Sequence, residues 1–405
     1  MIIAHKIALD PNDRQATYFA RSCGTARFAY NWALAEWRKQ YTARKDDPSL
    51  PAPSEASLRK LLNSLKAEQF PWMADVTKNA PQQAIKNLGS AFKRFFAGQG
   101  KYPRFKKKGV HDSFRADNGP DKTHPNAVET RGQRVKLPVI GWVRMREPLR
   151  FSGNVLSALV SRVADRWFVS LTVEIEHQAP ACENQAVGGV DLGVKALATL
   201  SDGRTVEGPK ALRKNLKKLQ RLSRSLSRKA RGSANRRKVK AKIARLHARI
   251  SNVRKDALHK LTSDLAQTFT VIGIEDLNVK GMMANGKLAR SIADMGFHEF
   301  RRQLDYKAAM RGTHIVVADR WFPSSKTCSA CGYVMPILPL SVRDWTCPAC
   351  GAVHNRDINA ARNLERMAAS SAVSACGEDG SGRGLATTAK PASVKQEPSC
   401  MEGLS

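Results

Sequence analysis

Acid is scarce in this chain of 405 residues: 35 Asp and Glu stand against 68 Lys and Arg, a net charge of +33. Charge of that size repels itself inside a compact fold unless a polyanion neutralises it. Nucleic acid meets the need, because each phosphate neutralised by Lys or Arg also releases a counterion. Long apolar runs are missing as well. None approaches the ~18–20 residues that a helical membrane span requires, so no membrane partner is expected. Residues 1–10 hold Lys6 but no extended apolar stretch and no small-residue cleavage site, so no secretory signal is read and a cytoplasmic location is expected. Cysteine is sparse. Of the eight present, four form two Cys-x2-Cys pairs, a usage that points to a reducing compartment and metal rather than disulfides. What is plentiful is apolar residue, 42%. That excludes a wholly disordered chain and supplies cores for roughly two to four domains.

The hydrophobic period changes along the chain. Ile2, Ile3, Ile7 and Leu9 flank His5 and Lys6 in a short strand closed by Pro11. From Asp13 to about Phe96 the period is helical. Phe19, Cys23, Ala26, Tyr30, Ala33 and Trp37 make one buried face, Leu58, Leu62 and Leu65 a second, and Ala84, Leu88, Phe92 and Phe96 a third. Beyond Gly98 the period drops to two, and the segments around Gly141 and around Ala164-Asp165-Arg166 read as antiparallel hairpins. A strand, a helical insertion and further strands predict a small β-barrel (1–10 and 98–180) interrupted by a helical lobe (11–97). From Ala186 strands and helices alternate up to about residue 370, the pattern of an α/β domain. Residues 371–405 hold six Ser, five Gly and only four Leu, Ile, Val or Phe, and read as a disordered tail.

Two local patterns carry chemistry. Cys328-x2-Cys331 and Cys347-x2-Cys350 present four thiolates in two turns, the spacing of a closed and therefore structural zinc site. The second pattern is acidic. Asp191 ends the apolar run before Leu192-Gly193, Glu275 ends Val271-Ile-Gly-Ile, and Asp357 sits where a helix begins. Each alone has a plain reading: an Asp before Gly is usually a turn, a Glu ending a strand a solvated edge, an Asp at a helix start a cap. Acids at strand ends of an α/β sheet nevertheless converge on one edge, and three carboxylates there can hold two Mg²⁺ ions for in-line phosphodiester cleavage.

These motifs carry a resemblance. Gly189-Val-Asp-Leu-Gly193, Gly273-Ile-Glu-Asp-Leu277, Phe322-Pro-Ser-Ser-Lys-Thr-Cys-Ser-Ala-Cys-Gly332, Trp345-Thr-Cys-Pro-Ala-Cys-Gly351, Asn355-Arg-Asp-Ile-Asn-Ala-Ala361 and Arg27-Phe-Ala-Tyr-Asn31 resemble the TnpB family, transposon-encoded relatives of the type V CRISPR effectors. The resemblance runs from about residue 1 to 370. It implies a wedge-like barrel interrupted by a helical recognition lobe, then a RuvC/RNase H-like nuclease domain (186–370) containing a basic helical hairpin (210–260) and a zinc module (321–353). It implies RNA-guided DNA cleavage beside a short transposon-adjacent motif, with Asp191, Glu275 and Asp357 as catalytic Mg²⁺ ligands. The implied partners are a guide RNA encoded near the transposon end and double-stranded target DNA. The family usually reads His-Asp-Arg-Asp before its last helix, whereas position 355 here is Asn. Lys78 and Gln82 match family positions that approach the adjacent-motif duplex, although Asn79 and Pro81 depart from the expected residues.

Cations cluster in two further places. Residues 210–260 hold 20 Lys or Arg and one acid, Asp256, around two apolar stripes that predict a helix pair with basic outer faces; Lys238, Lys242 and Arg245 stand on the second helix. Tyr102, Arg104, Lys106 and Lys107 interleave an aromatic with cations, a composition suited to phosphate contact and base stacking. Rival readings are a guided repressor that no longer cuts, a CRISPR-associated miniature effector, and a general zinc-containing RNA-binding protein. The last accounts for the charge but not for the three acids.

Overall fold

The computed structural model describes residues 1–118, 127–176 and 186–376. In chain order its elements begin with β1 (Ile2–Ala8), α1 (Asp13–Asp46), α2 (Glu55–Gln69), α3 (Asn79–Phe96), β2 (Ser113–Asp117), β3 (Glu129–Arg131), β4 (Arg134–Leu137), β5 (Gly141–Arg144), β6 (Asn154–Val163) and β7 (Arg166–Glu174). There follow β8 (Val187–Asp191), β9 (Ala198–Leu200), β10 (Thr205–Val206), α4 (Ala211–Ser227), α5 (Ala234–Thr268) and β11 (Val271–Glu275). The last are α6 (Val279–Ala284), α7 (Ala289–Met295), α8 (Phe297–Arg311), β12 (His314–Ala318), β13 (Asp344–Thr346), β14 (Val353–Asn355) and α9 (Arg356–Cys376). The chain divides into two compact units. One comprises Met1–Pro180, Pro209–Lys260 and Gly286–Phe300; the other comprises Ala181–Gly208, Leu261–Asn285 and Arg301–Ser405.

In the first unit, α1 starts on a capping box: the Asn12 carboxamide oxygen accepts from the Gln15 amide at 2.9 Å, and Gln15 returns the bond to the Asn12 amide at 3.1 Å. All six positions of its expected stripe, Phe19 through Trp37, are buried. On α3 the stripe stops early: Ala84, Leu88 and Phe92 are buried but Phe96 is 67% exposed, because the helix ends there. The strands form an antiparallel sheet of order β1-β7-β6-β2 and a separate three-stranded sheet, β3-β4-β5, with a single Leu9–Met145 bridge outside the named strands. The expected barrel does not close among the described residues. Alternation assigns each strand a buried face, but it does not say what covers that face. Here a helix covers it: Phe19 of α1 packs on Phe114 of β2 and Trp167 of β7, with ring centroids 5.9 and 5.3 Å apart.

The basic segment 209–260 belongs to this unit. Leu246 and Ile250 of α5 and Ala211 of α4 form a small buried core against Leu212, Leu219 and Leu222, so the stripes pair the helices as their spacing predicts; Val253 alone is left 43% exposed. The amino end of α4 has no cap of its own. Asp294 of α7, itself buried, accepts from the Leu212 amide at 2.9 Å and the Arg213 amide at 3.1 Å, satisfying two otherwise orphaned donors.

The second unit is built on a five-stranded sheet of order β10-β9-β8-β11-β12. The first three strands run antiparallel, and β11 lies parallel to both β8 and β12. Helix α9 lies directly on this sheet, and glycines make that possible. A Cβ at Gly189 would sit 1.8 Å from the Ala361 carbonyl oxygen, and one at Gly273 would sit 2.2 Å from that of Leu364. Only a residue without a side chain lets the two backbones approach so closely.

Candidate functional site

Strand pairing brings the first two acids together. Ile274 stands opposite Val190 in the parallel ladder, so the next residues, Glu275 and Asp191, leave adjacent strands side by side. Asp357 arrives from the first turn of α9. The Asp191 carboxyl is pushed from the ordinary 3.8 up to about 8, first by burial, then by the negative charge of Glu275 and of Asp357, against the opposing pull of Arg356 and Arg343. The three predicted acids therefore share one field at one edge of the sheet. Crowded carboxylates of this kind favour either a proton or a cation.

Their neighbours were not singled out from sequence. The Ser324 hydroxyl donates to Glu275 at 2.7 Å, and the Arg343 guanidinium donates to Asp357 at 2.9 Å. Arg356 is buried and donates to the Pro339 carbonyl at 2.7 Å. Asn359 and Asn363, buried one turn apart on α9, fasten the cysteine loop: Asn359 bonds the Ser329 amide and the Thr327 carbonyl, and Asn363 bonds the Ser324 and Thr327 carbonyls. Two asparagines at i and i+4 within an apolar helix face were the available signal, since a buried amide must find partners. Asn355 accepts from the Asp357 amide at 3.2 Å and the Ile358 amide at 3.3 Å, so the departure from the family pattern sits at the amino cap of α9.

Cys328, Cys331, Cys347 and Cys350 converge, all four sulphurs lying within 4.8 Å of one another. The Cys328–Cys350 and Cys331–Cys347 separations are 3.7 and 3.6 Å. Four sulphurs about 2.3 Å from a tetrahedral zinc would be roughly 3.8 Å apart, so the donor set fits the ion. His354 Nε2 lies 3.0 Å from the Cys328 sulphur, and Trp345 covers the imidazole at a centroid distance of 4.9 Å. Burial opposes ionisation of Cys328, but the amides of Cys331 and Ala330 together with His354 bring its thiol down to about 6. Among the described residues this is the one group of three or more metal-capable side chains gathered so tightly. The acids are neighbours in charge, not a finished cage.

The candidate nucleic-acid residues lie in the first unit. Lys78 is exposed at the amino cap of α3, whereas Gln82 is half-buried, and it is Gln83 that reaches the Asp117 carboxylate. The Arg27–Asn31 motif acts as a clamp on the basic strip. Arg27 pairs with Asp112 at 2.9 Å, Asn31 exchanges two bonds with the Lys106 backbone at 2.7 and 3.0 Å, and the Lys106 ammonium lies 4.2 Å from the Tyr30 ring centre. Tyr102 packs edge-on against Phe92 and Phe95, with the Arg38 guanidinium over its ring, while Arg104 and Lys107 are exposed. On α5, Lys238 and Lys242 are exposed, but Arg245 is held by Asp165 at 2.8 Å.

Comparison with known proteins narrows the assignment. Residues 170–286 match the OrfB_IS605 family, described as "Probable transposase". Residues 297–364 match the Cas12f1-like TNB domain. Residues 1–46 match a helix-turn-helix domain of OrfB proteins, although here that span is β1 and one unbroken helix of 34 residues. A protein of Streptomyces pristinaespiralis, provisionally named an RNA-guided DNA endonuclease, is 40% identical over 98% of this chain and 96% of its own. InsQ of Escherichia coli K12, provisionally named likewise, is 36% identical over 98% of both. Among solved structures, Cas12f1 with its guide RNA and target DNA superposes with a TM-score of 0.56 at 16% identity, covering 87% of this chain and 83% of that one, a likeness of fold. Acid-ended sheets and cysteine knuckles occur in many proteins, but alignment of nearly every residue to such relatives leaves one placement, and the chain belongs to the OrfB-type transposon proteins, the TnpB family.

Proposed function

We propose that this protein is an RNA-guided DNA endonuclease of a transposon, cutting target DNA beside a short adjacent motif. The observation that carries the proposal is that Asp191 and Glu275 end adjacent parallel strands, with Asp357 close enough from the first turn of α9 to share their field, in a chain related over nearly its whole length to proteins named for that activity. Asp191, Glu275 and Asp357 would hold divalent metal, and Mg²⁺ is the ion that three carboxylates and a phosphodiester suit best. When bound, such ions polarise the scissile phosphate and lower the pKa of an attacking water. The chain's own groups do the rest. Ser324 orients Glu275, Arg343 offsets the charge of Asp357 until a phosphate arrives, and Asn359 and Asn363 keep the cysteine module seated against α9. The basic strip behind Tyr102 and the outer faces of α4 and α5 contact RNA and DNA backbones, while sequence choice rests with the guide and the motif reader.

The test is Asp191→Ala in the complex with guide RNA and Mg²⁺. Cleavage should fall below detection while RNA and target binding stay near wild type, because phosphate contacts supply most of the binding and lie elsewhere. Cutting at the wild-type rate would refute the assignment.

A further inference from the structure

Trp321 is 85% exposed, more than any other large apolar side chain among the described residues. Its backbone is held in place. The Trp321 amide donates to the Asp319 carboxylate at 2.8 Å, and the Phe322 amide donates to the Asp319 carbonyl at 3.0 Å. Both flanks of the turn are tied to the end of β11. Arg320 pairs with Asp276, and Ser324 bonds Glu275. An indole is thus presented to solvent one residue from a cation and three residues from a group that touches a candidate catalytic acid. Exposed Leu and Val side chains are ordinary on protein surfaces, but an indole loses a large favourable burial term by standing free. Among the described residues of its own unit, nothing covers it.

We propose that Trp321 is a base-stacking platform at the mouth of the acid site, receiving one unpaired nucleobase of the DNA strand whose backbone reaches Asp191, Glu275 and Asp357. The proposal rests on the nuclease reading above. Its occupant follows from chemistry. An indole face recognises another flat ring, Arg320 beside it suits a phosphate, and three acids in need of metal suit a phosphodiester. Paired bases in a duplex offer no free ring face near the backbone, so the base must belong to an unpaired strand. Stacking on one ring would fix the register of the strand without reading its sequence, since every base has a face.

The experiment uses the full-length, zinc-loaded chain and short single-stranded DNA oligonucleotides carrying 2-aminopurine, whose fluorescence stacking quenches. Wild type should quench it. Trp321→Ala and Trp321→Leu should lose the quench and weaken binding about tenfold, while Trp321→Phe stays within about threefold, because only the ring face is used. The slope of affinity against salt should not change in any variant, since no cation is removed. Zinc content and thermal melting equal to wild type exclude a folding defect, and Leu restores apolar bulk without a ring face. Unchanged quenching and affinity in both the Ala and Leu variants would overturn the proposal, as would a weakened affinity with a flattened salt slope. Cleavage is scored in parallel with guide RNA and target. A chain that quenches through Trp321 but never cuts loses the nuclease reading and keeps the platform, whereas one that cuts normally without the ring loses the platform alone.

Discussion

Asn355 shows what a single residue at the site has to supply. Capping the first turn of α9 needs an acceptor oxygen, not a charge, and the Asn355 carboxamide provides one to the Asp357 and Ile358 amides. Its amide nitrogen also donates to Asp344 at 3.0 Å, a bond that an aspartate at 355 could not make and would replace with two carboxylates in contact. Asn355→Ala should therefore loosen the start of α9 by about 1 kcal/mol, and Asn355→Ser should retain most of the cap. Hydrogen exchange at the Asp357 and Ile358 amides reads this directly; equal protection in the Ala variant would mean that the cap is idle. Asn355→Asp should keep the cap yet weaken the hold on β13, so the usual family residue is not an improvement in this chain.

At the level of elements, helix and strand are set close by glycine and the basic hairpin is held by acids. Gly189→Ala would place a methyl carbon 1.8 Å from the Ala361 carbonyl, so α9 would have to lift, taking Asp357 with it. Cleavage should collapse while nucleic-acid binding through the first unit stays near wild type, and normal cutting by this variant would contradict the packing. In the hairpin, Lys238, Lys242 and Arg245 together changed to Gln should lower affinity and flatten the salt dependence, by a slope of about 0.9 for each duplex phosphate no longer neutralised, without altering the preferred adjacent motif. Arg245 should contribute least of the three because Asp165 already engages it, and Asp165→Ala should release it and strengthen binding. A triple variant with an unchanged slope would leave these cations as mere solvated surface. Asp294→Ala removes the acceptor that caps α4 from another helix, a loss of about 1–2 kcal/mol that hydrogen exchange at Leu212 and Arg213 would report.

On the scale of the whole molecule, the second unit depends on a module too small for a core of its own. Cys328, Leu338, Trp345 and Cys347 are its only buried cluster among the described residues, so metal must supply the folding energy. Elemental analysis should find one zinc per chain, and Cys347→Ser should lose it. Because Ser324 and Arg343 reach the acids from within or beside this module, zinc loss should also abolish cleavage. Retained cutting in a zinc-free chain would separate the two sites. Among the described residues no helix is long and apolar enough to cross a membrane. The disordered tail expected over residues 371–405 begins too early, because residues 371–376 continue α9; the remainder, from residue 377, lies outside the described residues.

Local chemistry was legible in the chain itself. The cysteine spacing, the acids at the ends of apolar runs, the helical stripe from Phe19 to Trp37 and the pairing of the two basic helices all follow from periodicity and ligand geometry, which act over a few residues. Decisions that join distant residues were made only in three dimensions. Period-two alternation marked the strands of the first unit, but whether their ladder closes depends on what covers the inner face, and α1 covers it with Phe19. Likewise, no spacing along the chain says that Asn359 and Asn363 fasten the cysteine loop or that Arg343 faces Asp357. Nor does it say that Arg245 meets Asp165, 80 residues away. Each of these bonds exists because packing brings a buried polar group or a charge within reach of its partners, and reach is a property of the folded chain.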